Sequence, residues 1–206
     1  MHKLGISIYP DKSNIEEDKK YLDLAKKFGF ERVFTNLLSV DVDKGQSFEN
    51  FKEIIKYAEN LDMKVIADVS PSVFKSLDIH YTELKFFKDL GLSGIRLDLG
   101  FSGMEEAIMS YNPYNLKIEV NISSGTKYIE NIISYRPNIE NIIACHNFYP
   151  HRYTGLSRKH FIESTELFKK HGIRTAAFVS SNNGSFGPWA VNDGLPTLEE
   201  HRELSI

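Results

Sequence analysis

The amino-acid sequence predicts one α/β domain over residues 1–206, a TIM-type (β/α)8 barrel with seven strand–helix units present. Three observations carry this. Short β-rich runs alternate with amphipathic helical runs along the chain, the pattern of right-handed βαβ units and a parallel sheet. The first turn after a strand lacks G-x-G-x-x-G, so nothing supports a doubly wound dinucleotide fold. Glycine-led pairs (Gly29-Phe30, Gly91-Leu92, Gly172-Ile173) recur where a helix should give way to a strand.

Strands are expected at 3–9, 31–36, 63–69, 93–99, 115–122, 140–147 and 173–179. Helices are expected at 14–28, 47–61, 82–90, 103–111, 125–135, 157–171 and 197–204. The first helix shows the reasoning. Ser13 or Asn14 can cap it, Glu16 and Glu17 suit its positive end, and Tyr21, Leu24, Ala25 and Phe28 recur at helical spacing. Gly29 then ends it, as glycine often does just past a C-terminus. From about residue 181 a Gly-rich loop runs longer than the usual ~2–6 residues of a βα connection. No eighth strand follows, so the barrel is expected to leave a gap between its first and last strands, covered by 181–206 or by another chain.

Composition excludes several classes. With 25 basic and 28 acidic residues the net charge is −3, which gives no electrostatic case for nucleic acid or a membrane surface. Cys145 is the single cysteine, so no intrachain disulfide can form and a reducing compartment fits. No signal-peptide pattern opens the chain, and no apolar run approaches the ~18 residues of a spanning helix. The chain reads as soluble and cytoplasmic, with a homo-oligomer left open.

Barrels of this kind place chemistry at the C-terminal ends of the strands, and those ends are polar here. They present Tyr9, Asn36, Asp68, Arg96 with Asp98, Glu119 with Asn121, and His146 with Asn147. Parity assigns directions. Ile95, Leu97 and Leu99 share one face of strand four, and Ile118, Val120 and Ile122 one face of strand five. These apolar faces belong under the helices, so Arg96, Asp98, Glu119 and Asn121 should look into the barrel. Asp98 and Glu119 are the expected acid/base pair near the mouth, with Asp68 as the replacement if one of them is structural. The plainer alternative pairs Arg96 with Glu119 as core filling. Asp68 has its own plain reading, a cap or turn residue before Pro71.

Tyr149, Arg152 and Arg158 follow strand six with other aromatic and basic residues, a composition suited to a sugar ring bearing anionic groups. No lysine ends a strand, which argues against a Schiff-base aldolase. No H-E-x-x-H occurs, and no cofactor is expected. A metal held by Asp68, Asp98, Glu119 and His146 stays open, and with it a sugar-phosphate isomerase or epimerase. A non-catalytic sugar-phosphate binder is the third reading.

Particular strings then point to a family. They are GISIYP (5–10), TNLL (35–38), DVSP (68–71), GIRLD with GF (94–101), HNFYP with RYTGLS (146–157), and GLPTLEEHR (194–202). In this order they resemble the 6-phospho-N-acetylmuramidase family. The resemblance implies a cytoplasmic bacterial glycoside hydrolase of cell-wall recycling. Its substrate would be a disaccharide with a non-reducing 6-phospho-N-acetylmuramic acid residue. It also implies an N-terminal TIM barrel followed by a smaller β-rich domain, and this sequence stops before the latter. On that reading Asn36, Asn121, His146 and Asn147 hydrogen-bond the sugar, with Tyr9, Arg96 and Tyr149 also lining its site. Arg152 or Arg158 meets the phosphate or the lactyl carboxylate.

Overall fold

The computed structural model describes residues 3–11, 13–37, 46–148 and 155–179. The first unit sets the pattern. Strand β1 (Gly5–Ser7) leads into helix α1 (Ile15–Lys27). Asn14 caps α1 by accepting from the Glu16 amide at 2.9 Å, while the Ser13 hydroxyl turns to Asp18. Gly29 takes φ +81°, a left-handed conformation that only glycine adopts without strain, and the chain re-enters the sheet.

The remaining strands are β2 (Arg32–Asn36), β3 (Lys64–Val69), β4 (Gly94–Leu97), β5 (Lys117–Asn121), β6 (Ile142–Cys145) and β7 (Arg174–Ala176). Between them lie α2 (Gln46–Asn60), α3 (Pro71–Ser76), α4 (Lys85–Asp89), α5 (Met104–Met109), α6 (Thr126–Ser134) and α7 (Arg158–Lys170). Among the described residues the seven strands are parallel and pair in chain order, as expected for a TIM-type α/β barrel. Most strands are shorter than the apolar runs suggested. Helix α3 was not anticipated. It starts at Pro71, where proline's missing N–H costs nothing, and its preceding residue is Ser70.

The two faces of the sheet divide as parity requires. Val65, Ala67, Val69, Ile95, Leu97, Ile118, Val120, Ile142 and Ala144 join the buried core that also takes Leu22, Ile55, Phe87, Ile132 and Phe168 from the helical layer. The other face turns inward. Its curl is visible in contacts between distant strands: Arg32 on β2 pairs with Glu119 on β5, and the Phe34 ring lies 4.9 Å from that of Phe178, just past β7. Gly94 is required in this interior, since a Cβ there would strike the Lys117 carbonyl and the Ile66 side chain. Among the described residues β1 and β7 form the two ends of the sheet. The expected cover for that gap, 181–206 with its helix candidate, lies outside the described residues. Among the described residues no helix is long and apolar enough to cross a membrane.

Candidate active site

Arg96 organises the polar interior. It is fully buried, and a guanidinium removed from water is stable only with its charge and donors matched. Nη1 donates to Asp68 Oδ1 and to Asp98 Oδ1, each at 3.0 Å, and Nη2 donates to Asn147 Oδ1 at 2.8 Å. Nε stands 3.7 Å from Glu119 Oε1, too far for a hydrogen bond but close enough for Coulombic attraction. Burial opposes the Arg96 charge, yet Asp68, Glu119 and Asp98 together outweigh it and raise its pKa.

The two carboxyls on Nη1 differ in surroundings. Asp68, at the end of β3, is buried, and burial pushes its pKa up from 3.8 to about 7 against the pull of Arg96, with Asp98 adding to the rise. Asp98 sits just beyond β4 on a turn, and its side chain is 29% exposed, so it faces the open mouth. Because both bonded oxygens lie 3.0 Å from one nitrogen, they are separated by at most twice that distance.

Beside Asp98 a cleft of about 380 Å³ opens, bordered by Phe101, Asn121, Ser124, Tyr128 and Asn147. Local bonding fixes this wall. Asn121 Oδ1 accepts from the Ser123 amide, and the Ser123 hydroxyl accepts from the Asn147 amide, tying the ends of β5 and β6 together. The loop after β4 is held by Glu106, a fully buried carboxylate on α5. It accepts from the Phe101 and Gly103 amides and, at 2.6 Å, from the Tyr128 hydroxyl. Burial and then Glu106 raise the Tyr128 pKa, which keeps the phenol protonated as a donor. The Tyr128 hydroxyl packs so tightly on Gly100 that no Cβ fits there.

Two expectations need correction. Glu119 is not at the mouth. It is fully buried beneath the cleft, bound by Arg32 and facing Arg96, because β5 places it level with Arg96 and one inward position below Asn121. His146 does not face the substrate side. It follows Ala144 in parity, so Nε2 meets Thr165 Oγ1 on α7 at 2.9 Å and the ring stacks on Phe161 at 4.1 Å. Burial, with His160 nearby, lowers its pKa to about 4. Arg158 opens α7 and is exposed.

Tyr9 is half-buried at the end of β1 and shares the electrostatic environment of Asp68 and Arg96, while Asn36 is level with Asp68 in the sheet. Tyr149 and Arg152 lie outside the described residues. With His146 turned to α7, the four-residue metal set does not converge, and among the described residues no group of three His, Cys, Asp or Glu is placed to hold a metal. Sequence reasoning missed Phe101, Ser124, Tyr128 and Glu106. Glu106 stands three residues after Gly103, but glycine has no side chain to complete a capping box, and nothing marked Tyr128 out from its helix.

A crystal structure of an uncharacterized Bacillus cereus protein is 52% identical, with a TM-score of 0.82, covering 97% of this chain and 54% of that one. A conserved Enterococcus faecalis protein of unknown function is 26% identical, with a TM-score of 0.79, covering 98% and 54%. A β-N-acetylhexosaminidase from Bacteroides fragilis NCTC 9343 shares the fold at 13% identity, with a TM-score of 0.53, covering 97% and 54%. The chain thus spans about half the length of the solved structures it matches. Comparison with curated proteins gives no match. Residues 4–206 match the family described as 6-phospho-N-acetylmuramidase, N-terminal, and the chain belongs to that glycoside hydrolase family.

Proposed function

We propose that this chain carries the acid/base machinery of a glycoside hydrolase that cleaves the bond of a non-reducing 6-phospho-N-acetylmuramic acid residue. The observation that supports it best is the pair of carboxyls on Arg96 Nη1, one buried with a pKa near 7 and one open to a cleft. A carboxyl of that acidity is still substantially protonated at neutral pH, as a general acid must be. Asp68, beside Asp98 on Arg96 but off the wall of the cleft, protonates the glycosidic oxygen as its bond to the anomeric carbon breaks. Asp98 stabilises the positive charge developing on that carbon, and water then supplies the new hydroxyl while its proton returns to Asp68. Arg96 holds both groups in register without taking a proton itself.

The cleft suits a sugar. Phe101 and Tyr128 offer apolar surface, and Asn121, Ser124 and Asn147 offer polar groups around it. The phosphate on the substrate is assigned from the family, and Arg152 is its proposed partner. Turnover in the cytoplasm during cell-wall recycling belongs to the same reading.

The test is hydrolysis of a 6-phospho-N-acetylmuramyl disaccharide by the intact protein, followed by NMR of the first-formed anomer. Two carboxyls that share one nitrogen are near neighbours, as in retaining enzymes, so the first product should keep its configuration. Absence of hydrolysis, or an inverted first product, would overturn this reading.

A further inference from the structure

The interior below the cleft holds an unbalanced set of charges. Arg32 and Arg96 face Asp68, Asp98 and Glu119, so two cations meet three carboxyl groups in one connected cluster. Fully ionised, it would carry one excess negative charge, most of it away from water. Retaining one proton removes that excess. Geometry says where it goes. Glu119 Oε2 is bound by Arg32, and Asp98 is partly solvated. Among the described residues Asp68 has a single short bond, to Arg96, and it has almost no exposure.

We propose that Glu119, clamped between Arg32 and Arg96 beneath the cleft, is a positioning residue that keeps the proton on Asp68. It touches neither the cleft nor the expected reaction centre. It acts through Arg96, by claiming part of the guanidinium's attraction from below that Asp68 would otherwise receive. The inference rests on Asp68 being the proposed acid. The other groups around Asp68 do not supply the balance. Tyr9, just past β1, has its pKa raised to about 12 by burial and is a neutral phenol. Burial likewise raises the Cys145 thiol on β6, so it is uncharged. Asp11, beyond β1, acts on Tyr9, and Asn36 on β2 is neutral.

The sign follows directly. A general acid works while protonated, so activity falls as pH rises through its pKa. Glu119→Gln keeps the shape and removes one negative charge, leaving two cations against two carboxylates. Asp68 then gives up its proton more readily, and the alkaline limb of the kcat/KM profile moves to lower pH. Arg32→Gln removes a cation and moves that limb to higher pH. Each shift should be about one pH unit or more, a tenfold change in the acid–base equilibrium. The double variant restores the charge count and should return the limb towards its original position.

The experiment is the pH profile of the intact protein on a 6-phospho-N-acetylmuramyl disaccharide, alongside ¹³C NMR titration of the Asp68 carboxyl without substrate. Opposite shifts in the two single variants support the proposal. An unmoved limb with activity reduced at every pH, the mark of a merely structural role, overturns it. So do shifts of the same sign. Should Glu119→Gln not fold, Arg32→Gln decides alone, since Arg32 is partly exposed and its upward shift is equally specific. The titration separates the two claims: an Asp68 carboxyl that moves as stated in a protein whose Asp68→Asn variant still hydrolyses normally refutes the catalytic reading but not this one.

Discussion

Tyr128→Phe probes the wall that carries Asp98. The substitution removes one hydroxyl and leaves the ring. Glu106 loses the 2.6 Å bond from Tyr128 but keeps the Phe101 and Gly103 amides. A hydrogen bond to a charged group contributes a net of about 1.5–3 kcal/mol, and the acceptor here is fully buried, so the loss should fall in that range. Urea unfolding of the variant reads it as a lower midpoint at unchanged slope. Because Phe101 and Asp98 share the anchored loop, kcat/KM should fall as well. A cycle with Glu106→Gln adds the decisive control. The two groups touch, so their effects should be non-additive by about 0.5–3 kcal/mol. A Tyr128→Phe protein within about 0.5 kcal/mol of the original, with strict additivity to Glu106→Gln, would refute the clamp.

Other outcomes are equally specific. His146→Leu should leave kcat and KM within about twofold of the original, because the ring packs on α7. A large rise in KM would return His146 to the substrate. The lowered His146 pKa also predicts that the folded protein loses stability as pH falls from about 6.5 towards about 4, since the unfolded chain binds the proton first. His146→Leu should flatten that part of the stability–pH curve. Arg152→Ala should raise KM for the phosphorylated sugar with little change in kcat, as expected for a contact equally strong in the ground and transition states. A fall in kcat at unchanged KM would contradict that role.

The fold was legible because its signal is periodic. Alternating runs fixed the order of seven strands, and the parity of Ile95 and Leu97 against Arg96 fixed which side looks inward. Parity gives direction, however, and not depth. Glu119 and Asp98 share the inward side, but Glu119 lies level with Arg96 and Asp98 two residues above it, so only Asp98 reaches the mouth. The register that separates them is a property of paired strands, which one strand read alone does not contain. His146 went astray for a related reason. It was grouped with Asn147 as one strand end, though adjacent residues point to opposite sides. Phe101, Ser124 and Tyr128 come from loops and a helix whose approach to Asp98 is set by tertiary packing, so strand patterning could not announce them.

Leaving-group dependence measures the division of roles between Asp68 and Asp98 most directly. Asp68→Asn and Asp98→Asn are compared on a natural 6-phospho-N-acetylmuramyl disaccharide and on the nitrophenyl glycoside of the same sugar. A nitrophenolate departs without needing a proton, so the loss of a general acid is felt chiefly with the poorer leaving group. Asp68→Asn should lose about 10²-fold or more on the disaccharide and far less on the nitrophenyl glycoside, whereas Asp98→Asn should lose heavily on both. Equal losses on both substrates for Asp68→Asn, or full activity of Asp98→Asn on either, would contradict the account.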